Sequence, residues 1–322
     1  MSMHYRRLGR SGLKLSEIAL GAWVTFGDQI SEKAVSKLVH TAYDEGINFF
    51  DNADVYANGQ AEVAMGSAIK DIPREALVIS SKVFSQTMPG PNGRGLSRKH
   101  IIESVHASLK RLSTDYLDLY FCHRYDSDTP IDEVVYTMDT LIRQGKILYW
   151  GTSEWRGYQI ATAIKIADQH HLAPPVMEQP QYNMFHRYRV ETDLAPVCKE
   201  FGIGLTTFSP LYYGILTGKY NEGIPKGTRA ARDGYGWIRE RITPERIAIV
   251  DMLTSVARNL GLTTAQLAIA WLLRRKEIGS VITGATQLKQ LKENIAAGDA
   301  AGKLTDDVLE KIERILGNYP DE

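Results

Sequence analysis

The sequence predicts an α/β fold, namely a (β/α)8 barrel of the TIM type with an N-terminal β-hairpin and a C-terminal helix. Eight short runs rich in Val, Ile, Leu and aromatic residues alternate with helical patterns along the 322 residues, and this alternation favours a closed parallel barrel. Each run is almost entirely apolar, as expected of strands that are buried on both faces. We therefore expect residues 1–322 to form a single barrel domain.

An open, doubly wound parallel sheet is the main alternative. Its first strand is usually followed by a G-x-G-x-x-G turn that binds the phosphates of a dinucleotide. Here the corresponding segment is LGAWVTFG, which does not match that pattern. The sequence thus favours the closed barrel.

The elements follow one another in a regular order. A hairpin is predicted in the segment HYRRLGRSGLKLSE, with its turn between Gly9 and Gly12. The strands that come after it are predicted to end, in chain order, at Gly21, Asp51, Lys82, His123, Ser153, Gln179, Ser209–Pro210 and Gly284.

Capping residues mark the boundaries of four helices. Because a Ser or Thr side chain can accept a hydrogen bond from the first turn, these helices are predicted to start at Ser31, Ser97, Thr129 and Thr243. Pro130 suits the first turn of the third helix, and Gly46 and Gly145 end the first and the third. The apolar stripes of the first, second and fourth helices are Val35, Leu38, Val39 and Ala42; Ile101, Ile102, Val105, Leu109 and Leu112; and Val250, Leu253, Ala257 and Leu260.

Composition limits the classes of function. Lys plus Arg and Asp plus Glu both number 38, so the chain lacks the basic surplus typical of nucleic-acid binding, although a local phosphate pocket is compatible with this balance. The two cysteines are not a disulfide framework and fit a reducing compartment. The N-terminus lacks the apolar core of a signal peptide, and no apolar run approaches the ~18 residues of a membrane span. We expect a cytoplasmic protein without membrane insertion.

Polar residues at three strand ends predict an active site. In such barrels the C-terminal strand ends form one mouth, where Asp51, Lys82 and His123 would meet Tyr56 from the next loop. A buried lysine needs a counter-charge, which Asp51 can supply. A cation ~4 Å from a phenol contributes about 4 kcal/mol at an effective dielectric of ~20, enough to lower the phenol pKa from ~10 by about two to three. Tyr56 would then donate a proton, and His123 would polarise a carbonyl.

Taken singly, each of these residues also fits an ordinary structural role. Asp51 could end a turn, Tyr56 could pack against a loop, and Lys82 could extend along the surface to solvent. His123 could be a hydrogen-bonded core residue. A metal site is not expected, because neighbouring strand residues point to opposite faces and no third ligand is evident.

The second half of the chain predicts a phosphate site. The segment SPLYYGILTGKY supplies Gly214 and Lys219, and Arg229 follows in KGTRAARDGYG. Residues 284–286 precede a helix whose amide groups favour an anion. The connection 211–244 is long, and such loops often cover a site. The alternative is a Gly-rich surface loop with solvated charges.

Several segments in order resemble the aldo-keto reductase superfamily, from Tyr5 to the last helix. They are LGAWVTFG, GINFFDNADVYANGQAE, VISSKV, YFCHR, YWGTSEW, EQPQYNMF, SPLYYGILTGKY and VITGATQLKQLKENI. Within that superfamily, WVTFGDQI, GLSRKHI and WGTSEW resemble the branch of the voltage-gated potassium channel β subunits. The resemblance implies a (β/α)8 barrel with a tetrad in which Tyr56 is the general acid, Lys82 is paired with Asp51, and His123 orients the carbonyl.

The resemblance also implies that NADPH binds in an extended conformation without a Rossmann domain. Ser153 and Gln179 would bind the nicotinamide amide, residues 208–214 the pyrophosphate, and Lys219 and Arg229 the phosphates, while residues after the last strand would hold the adenosine end. The full set of implied cofactor-binding residues is Trp23, Gln29, Asp51, Ser153, Gln179, Phe208, Ser209, Pro210, Leu211, Gly214, Lys219, Arg229, Gly284, Ala285, Thr286, Gln290, Glu293 and Asn294.

Four positions depart from the family pattern. Animal channel subunits carry Asn where this chain has His123, the residue of active reductases, and this favours turnover over sensing. Phe208 stands where Trp is common, and Glu154 follows Ser153 where Asn is frequent. Gly227 lacks a side chain that some relatives use near the phosphates.

Three functions are compatible with the sequence. The first is the NADPH-dependent reduction of a small aldehyde or ketone to an alcohol, with Tyr56 as proton donor. The second is a redox-sensing regulatory subunit of a potassium channel, for which the branch resemblance implies a homotetramer. The third, suggested by the phosphate site predicted in the second half of the chain, is an isomerase or lyase acting on sugar phosphates.

Overall fold

The computed structural model describes residues 3–320 and confirms the predicted barrel. An N-terminal hairpin is formed by β1 (Tyr5–Arg7) and β2 (Lys14–Ser16). The barrel strands are β3 (Ile18–Gly21), β4 (Phe49–Asp51), β5 (Val78–Val83), β6 (Leu117–Cys122), β7 (Ile147–Ser153), β8 (Met177–Gln179), β9 (Gly204–Thr207) and β10 (Ile278–Thr283). They close in the hydrogen-bonded order β10-β3-β4-β5-β6-β7-β8-β9.

Helices surround the barrel strands. In the described part of the chain they are α1 (Glu32–Asp44), α2 (Gln60–Ile69), α3 (Arg98–Leu112), α4 (Ile131–Arg143), α5 (Gly157–Gln169), α6 (Ala195–Phe201), α7 (Gly236–Arg239), α8 (Pro244–Asn259), α9 (Thr264–Leu273), α10 (Leu288–Ile295) and the C-terminal α11 (Asp306–Leu316). Between residues 3 and 320, no helix has the length and apolar character that crossing a bilayer requires.

Side-chain capping accounts for three of the four predicted helix starts. The hydroxyls of Ser31, Ser97 and Thr243 each accept a hydrogen bond from the backbone N–H three residues later. The prediction that Thr129 caps α4 is wrong. Its hydroxyl donates instead to Asp126 Oδ2 at 2.7 Å, and α4 follows Pro130 without a side-chain cap. A Thr before a Pro therefore serves here to fold the preceding loop.

The predicted apolar stripes are largely buried. All four predicted stripe residues of α1 are buried. In α3 the stripe is buried except for Ile102, which is half-buried, and Leu260 at the end of α8 is also half-buried. Both exceptions lie at the margin of their stripe, where the helix surface turns toward solvent.

Alternation along the strands creates an inner and an outer core. Phe50 belongs to the large apolar cluster between barrel and helices, whereas Phe49 belongs to a smaller cluster together with Val78. Because strand side chains alternate between faces, Asp51 lies on the same face as Phe49, and Lys82 lies on the same face as Val78. The strands thus deliver an acid and an amine into the barrel.

The hairpin closes the N-terminal end of the barrel. Leu8 and Leu15 are fully buried in the inner cluster, where they join Phe121 from β6. The turn is held by a hydrogen bond from Arg10 N–H to the Gly202 carbonyl oxygen at 2.8 Å. The floor of the barrel is therefore apolar and packed, and polar groups are left to the opposite end.

Gly9→Ala is expected to lower the free energy of unfolding by about 2 kcal/mol or more. Gly9 has a φ of +54°, and a Cβ there would lie 2.2 Å from the backbone oxygen of Gly202, so the hairpin would have to leave the barrel. Urea unfolding followed by circular dichroism measures the change.

Gly12→Ala in the same turn is the matched control, because nothing lies within 4 Å of an added Cβ there. It should shift stability by less than about 0.5 kcal/mol. Equal unfolding midpoints for the two variants would show that the hairpin does not close the barrel as described.

Candidate active site

The central residues of the predicted site meet at the C-terminal end of the barrel. Asp51 is the last residue of β4, Lys82 lies in β5, and His123 follows β6 directly. Tyr56 lies in the loop after β4, where it begins a 3-10 turn. Parallel pairing of β4 with β5 and of β5 with β6 brings these positions to one mouth.

Asp51 and Lys82 form a buried ion pair. Lys82 Nζ lies 2.7 Å from Asp51 Oδ2 and donates a second hydrogen bond to the Asn52 carbonyl oxygen at 2.6 Å. The other carboxylate oxygen, Asp51 Oδ1, accepts from Ser80 Oγ at 2.8 Å and from Gln179 Nε2 at 3.0 Å. These bonds offset the cost of removing both charges from water, so the two side chains have one fixed arrangement.

Tyr56 completes the cluster. Its Oη lies 3.3 Å from Lys82 Nζ, and its ring centroid lies 5.9 Å from that of His123 in an edge-on arrangement. Ala57 and Asn58 turn the chain sharply after it, with φ values of 49° and 53°. The tyrosine side chain is half-buried and lines the cavity above the barrel. The four predicted residues are therefore adjacent in space.

The expected lowering of the Tyr56 pKa is wrong. Burial raises the pKa of the phenol well above its ordinary value, and the negative charge of Asp51 raises it further. The predicted pKa included the attraction of the lysine charge but neither the burial of the phenol nor the repulsion from Asp51, whose carboxylate lies 2.7 Å from Lys82 Nζ. Tyr56 consequently keeps its proton throughout the neutral range, as a proton donor must.

His123 is a neutral imidazole in this setting. Burial lowers its pKa well below the ordinary value, and the charges of Lys82 and Arg124 lower it further. Within the described residues, its buried Nδ1 has no hydrogen-bond partner. A neutral imidazole has one N–H group, which can donate a hydrogen bond to a carbonyl oxygen. Unlike an imidazolium, it does not compete with Tyr56 as the proton donor.

A cavity of about 1350 Å³ opens over these residues. Asp51, Tyr56 and His123 line it, while Lys82 lies beneath and is fully buried. Every residue that the family resemblance assigned to the cofactor also lines this cavity. The structure thus gathers the predicted set around one cavity, and the role of each residue in binding stays a prediction.

Two cations in the cavity wall lack an acid partner. Lys219 and Arg229 both line the cavity, and neither forms an ion pair with a described carboxylate. Burial lowers the pKa of Lys219, and the charge of Arg229 lowers it further. Gly214, with a φ of +95°, leaves room for the lysine, because a Cβ there would lie 2.5 Å from Lys219 Nζ. Two neighbouring cations, of which Lys219 is exposed and Arg229 is half-buried, favour an anion such as a phosphate.

The segment between β10 and α10 forms another part of the wall. Thr286 donates to Gln290 Oε1 through its backbone N–H at 2.9 Å and through its hydroxyl at 3.1 Å. Asn294, one turn further along α10, is buried and also faces the cavity. This segment therefore offers mainly neutral polar groups, and Glu293 is the acid among its cavity-lining residues.

Glu154 has a structural role next to the site. Its Oε1 accepts a hydrogen bond from Gln181 N–H at 2.7 Å, and its Oε2 lies 3.2 Å from Arg189 Nη1. Its neighbour Ser153 donates through Oγ to the Gln179 carbonyl oxygen at 2.9 Å. The replacement of Asn by Glu at this position thus ties two loops together.

Several residues of the cavity wall were not predicted from the sequence. They are Arg124 beside His123, Gln181 after β8, and aromatic and basic residues of the long connection, namely Tyr235, Trp237 and Arg241. The connection was predicted to cover a site, but its side chains carry no periodic pattern from which their direction could be inferred. The position of Arg124 directly after a strand-end histidine was the available signal.

Comparison with known proteins places the chain among relatives over nearly its whole length. The model of the aldo/keto reductase family matches residues 17–316. An Arabidopsis thaliana protein named "Probable voltage-gated potassium channel subunit beta" is 49% identical over 322 residues, which is 99% of this chain and 98% of that protein. A protein of the same name from Oryza sativa subsp. japonica is 46% identical over the same shares.

Asp51→Asn is expected to reduce the free energy of unfolding by about 3 to 5 kcal/mol, because it leaves the Lys82 ammonium buried without a counter-charge. Urea unfolding at neutral pH measures the loss. Ser80→Ala, which removes a neutral hydrogen bond to the same carboxylate, should cost only about 1 kcal/mol.

Replacing both partners in an Asp51→Asn and Lys82→Met double variant should recover much of that stability, since no buried charge remains. If the single Asp51 variant unfolds at the same urea concentration as the parent, the ion pair is not the buried contact described above.

Proposed function

The chain belongs to the aldo/keto reductase family, and we propose that it reduces aldehydes or ketones to alcohols with NADPH, using Tyr56 as the proton donor. One observation carries the proposal. Tyr56 Oη lies 3.3 Å from Lys82 Nζ, which is itself 2.7 Å from Asp51, at the base of a cavity wide enough for a dinucleotide and a small substrate. Membership of this family favours a reductase over an isomerase or lyase of sugar phosphates.

The residues of the cavity wall fit NADPH. When bound, this cofactor supplies a hydride to the carbonyl carbon. Ser153 and Gln179 would hold the nicotinamide amide, and residues 208–214 would contact the pyrophosphate. Lys219 and Arg229, which lack acid partners among the described residues, would neutralise phosphates. Thr286, Gln290 and Asn294, with their neighbours in that segment, would bind the adenosine end.

The chain's own groups then handle the carbonyl oxygen. Neutral His123 donates a hydrogen bond that orients the carbonyl and polarises it. As the carbon gains hydride, negative charge develops on the oxygen, and the Tyr56 hydroxyl transfers its proton there. The new phenolate lies beside the Lys82 ammonium, which stabilises it. Asp51 fixes the lysine so that little reorganisation is needed.

Tyr56→Phe is expected to lower kcat for an activated aromatic aldehyde by about 10²- to 10⁴-fold while NADPH still binds, because the proton donor alone is removed. Loss of NADPH absorbance measures turnover, and quenching of tryptophan fluorescence measures binding.

Tyr136→Phe serves as the control, because that tyrosine lies in α4 and is exposed away from the cavity. Parent-like turnover by the Tyr56 variant would exclude this residue as the donor and would leave the proposed mechanism without an acid.

The rate of aldehyde reduction should stay within about twofold between pH 6 and pH 9. The reaction needs Tyr56 protonated, and burial holds its pKa well above the ordinary ~10, so the acid form persists through this range. His123, whose pKa is lowered, stays neutral over the same range.

Saturating kcat measured across this range with NADPH tests the point. A lowered phenol pKa near neutrality would instead give a rate that falls about tenfold per pH unit on the alkaline side. Such a fall would contradict the electrostatic account of the site.

A second candidate function is a regulatory subunit of a potassium channel. It is favoured by one observation, that both plant relatives carrying that description match 99% of this chain. In this alternative, cytoplasmic homotetramers of single-barrel subunits dock on a channel and retain the cofactor. Tight NADPH retention, slow turnover and co-purification with a channel would support it, whereas rapid multiple turnover by a monomer would count against it.

A further inference from the structure

Arg124 lies in the cavity wall next to His123 and forms no ion pair with a described acid. It follows His123, lines the cavity with Tyr56, and is exposed. A hydrogen bond from Arg124 to the His123 carbonyl oxygen is its sole side-chain bond within the described residues. None of the ion pairs among residues 3–320 includes it. Its charge lowers the pKa of both Lys82 and His123 after the larger effect of their burial, so the guanidinium acts on the site.

The backbone that carries Arg124 is fixed on both sides. The Tyr125 ring packs edge-on against buried Trp155 at a centroid distance of 5.0 Å. Asp126 Oδ2 accepts from Leu96 N–H at 2.7 Å and from Thr129 Oγ1 at 2.7 Å. A guanidinium on an anchored loop is a defined binding group rather than a freely moving surface charge.

Another part of the cavity wall is aromatic and also positive. Tyr213 meets Trp23 and Trp237 edge-on, with centroid distances of 6.3 Å and 4.7 Å. Arg241 lies over the rings of Tyr213 and Trp237, at 5.8 Å and 5.3 Å, and forms no ion pair with a described carboxylate. This wall can hold an apolar substrate body between flat rings.

The acids of the cavity wall do not neutralise these arginines. Four acids line the cavity. Asp51 is paired with Lys82, and Glu154 is paired with Arg189, while Asp28 and Glu293 form no ion pair with a described arginine. Lys219 and Arg229 would be the partners of the phosphates of the proposed cofactor. Arg124 is thus left for an anion that arrives with the substrate.

Building on the proposed function, we propose that the physiological substrate is an aldehyde or ketone that carries an anionic group, a carboxylate or a phosphate, which Arg124 binds. The guanidinium can make two parallel hydrogen bonds to such a group. The carbonyl then meets Tyr56 and His123, and the substrate body lies against Trp23 and its aromatic neighbours.

Matched aldehydes test the proposal. 4-Carboxybenzaldehyde should be reduced with a kcat/KM at least about tenfold above that of 4-formylbenzamide, its neutral isostere. Glycolaldehyde phosphate and glycolaldehyde make the same comparison for a phosphate, so the pair with the larger ratio of kcat/KM identifies the preferred anion.

Variants of the arginine test its part in this preference. Arg124→Met should lower the ratio of kcat/KM for the anionic over the neutral aldehyde about tenfold, and Arg124→Lys should restore part of it. Arg258→Met, an exposed arginine of α8 outside the cavity, should keep the parent ratio.

Binding without turnover separates this proposal from the proposed function. With NADP⁺ present, 4-methylbenzoate, which has no alcohol to oxidise, should quench tryptophan fluorescence at lower concentration than 4-methylbenzamide, and Arg124→Met should remove the difference. If no aldehyde is reduced but this difference remains, the reductase function fails and the anion site stands. Equal binding and equal reduction of charged and neutral probes, or a preference that survives in Arg124→Met, overturns the anion site.

Discussion

The ion pair between Asp51 and Lys82 is the constraint on which both fold and site depend. Two opposite charges buried in a barrel are tolerable only if each is hydrogen-bonded, and here the supporting groups come from Ser80, Asn52 and Gln179. Ser80 lies on β5, which pairs with β4, whereas Gln179 lies on β8, which pairs with neither strand and reaches Asp51 across the barrel. The hydrogen bonds that stabilise the two buried charges also hold Lys82 beneath Tyr56. One network therefore contributes both to the stability of the fold and to the arrangement of the site.

Much of the fold could be predicted because it follows from local patterns. Apolar runs and Ser caps identify strands and helices, and the rule that barrel strands end at one mouth grouped Asp51, Lys82 and His123 correctly. The capping pattern gave a wrong prediction at Thr129, whose hydroxyl donates a hydrogen bond to Asp126 instead of capping α4. Asp126 lies only three residues before Thr129. The sequence pattern does not show whether the threonine hydroxyl bonds to this carboxylate or to the first turn of the helix.

The site was less predictable than the fold for two physical reasons. The Tyr56 pKa depends on desolvation and on every nearby charge, and a sequence reveals neither. The outer wall depends on where loop side chains point, so Trp237, in the long connection, could not be assigned from spacing. The departure at Glu154 became intelligible only when its contacts with Gln181 and Arg189 were visible.

The apolar floor made by Leu8 and Leu15 has a kinetic consequence. Because the barrel is closed at its N-terminal end, ligands can enter and leave the cavity only through the mouth. Two ligands bound there at the same time therefore cannot exchange independently. The hairpin, remote from the cavity, thereby confines the entry and exit of any ligand to the C-terminal face of the barrel.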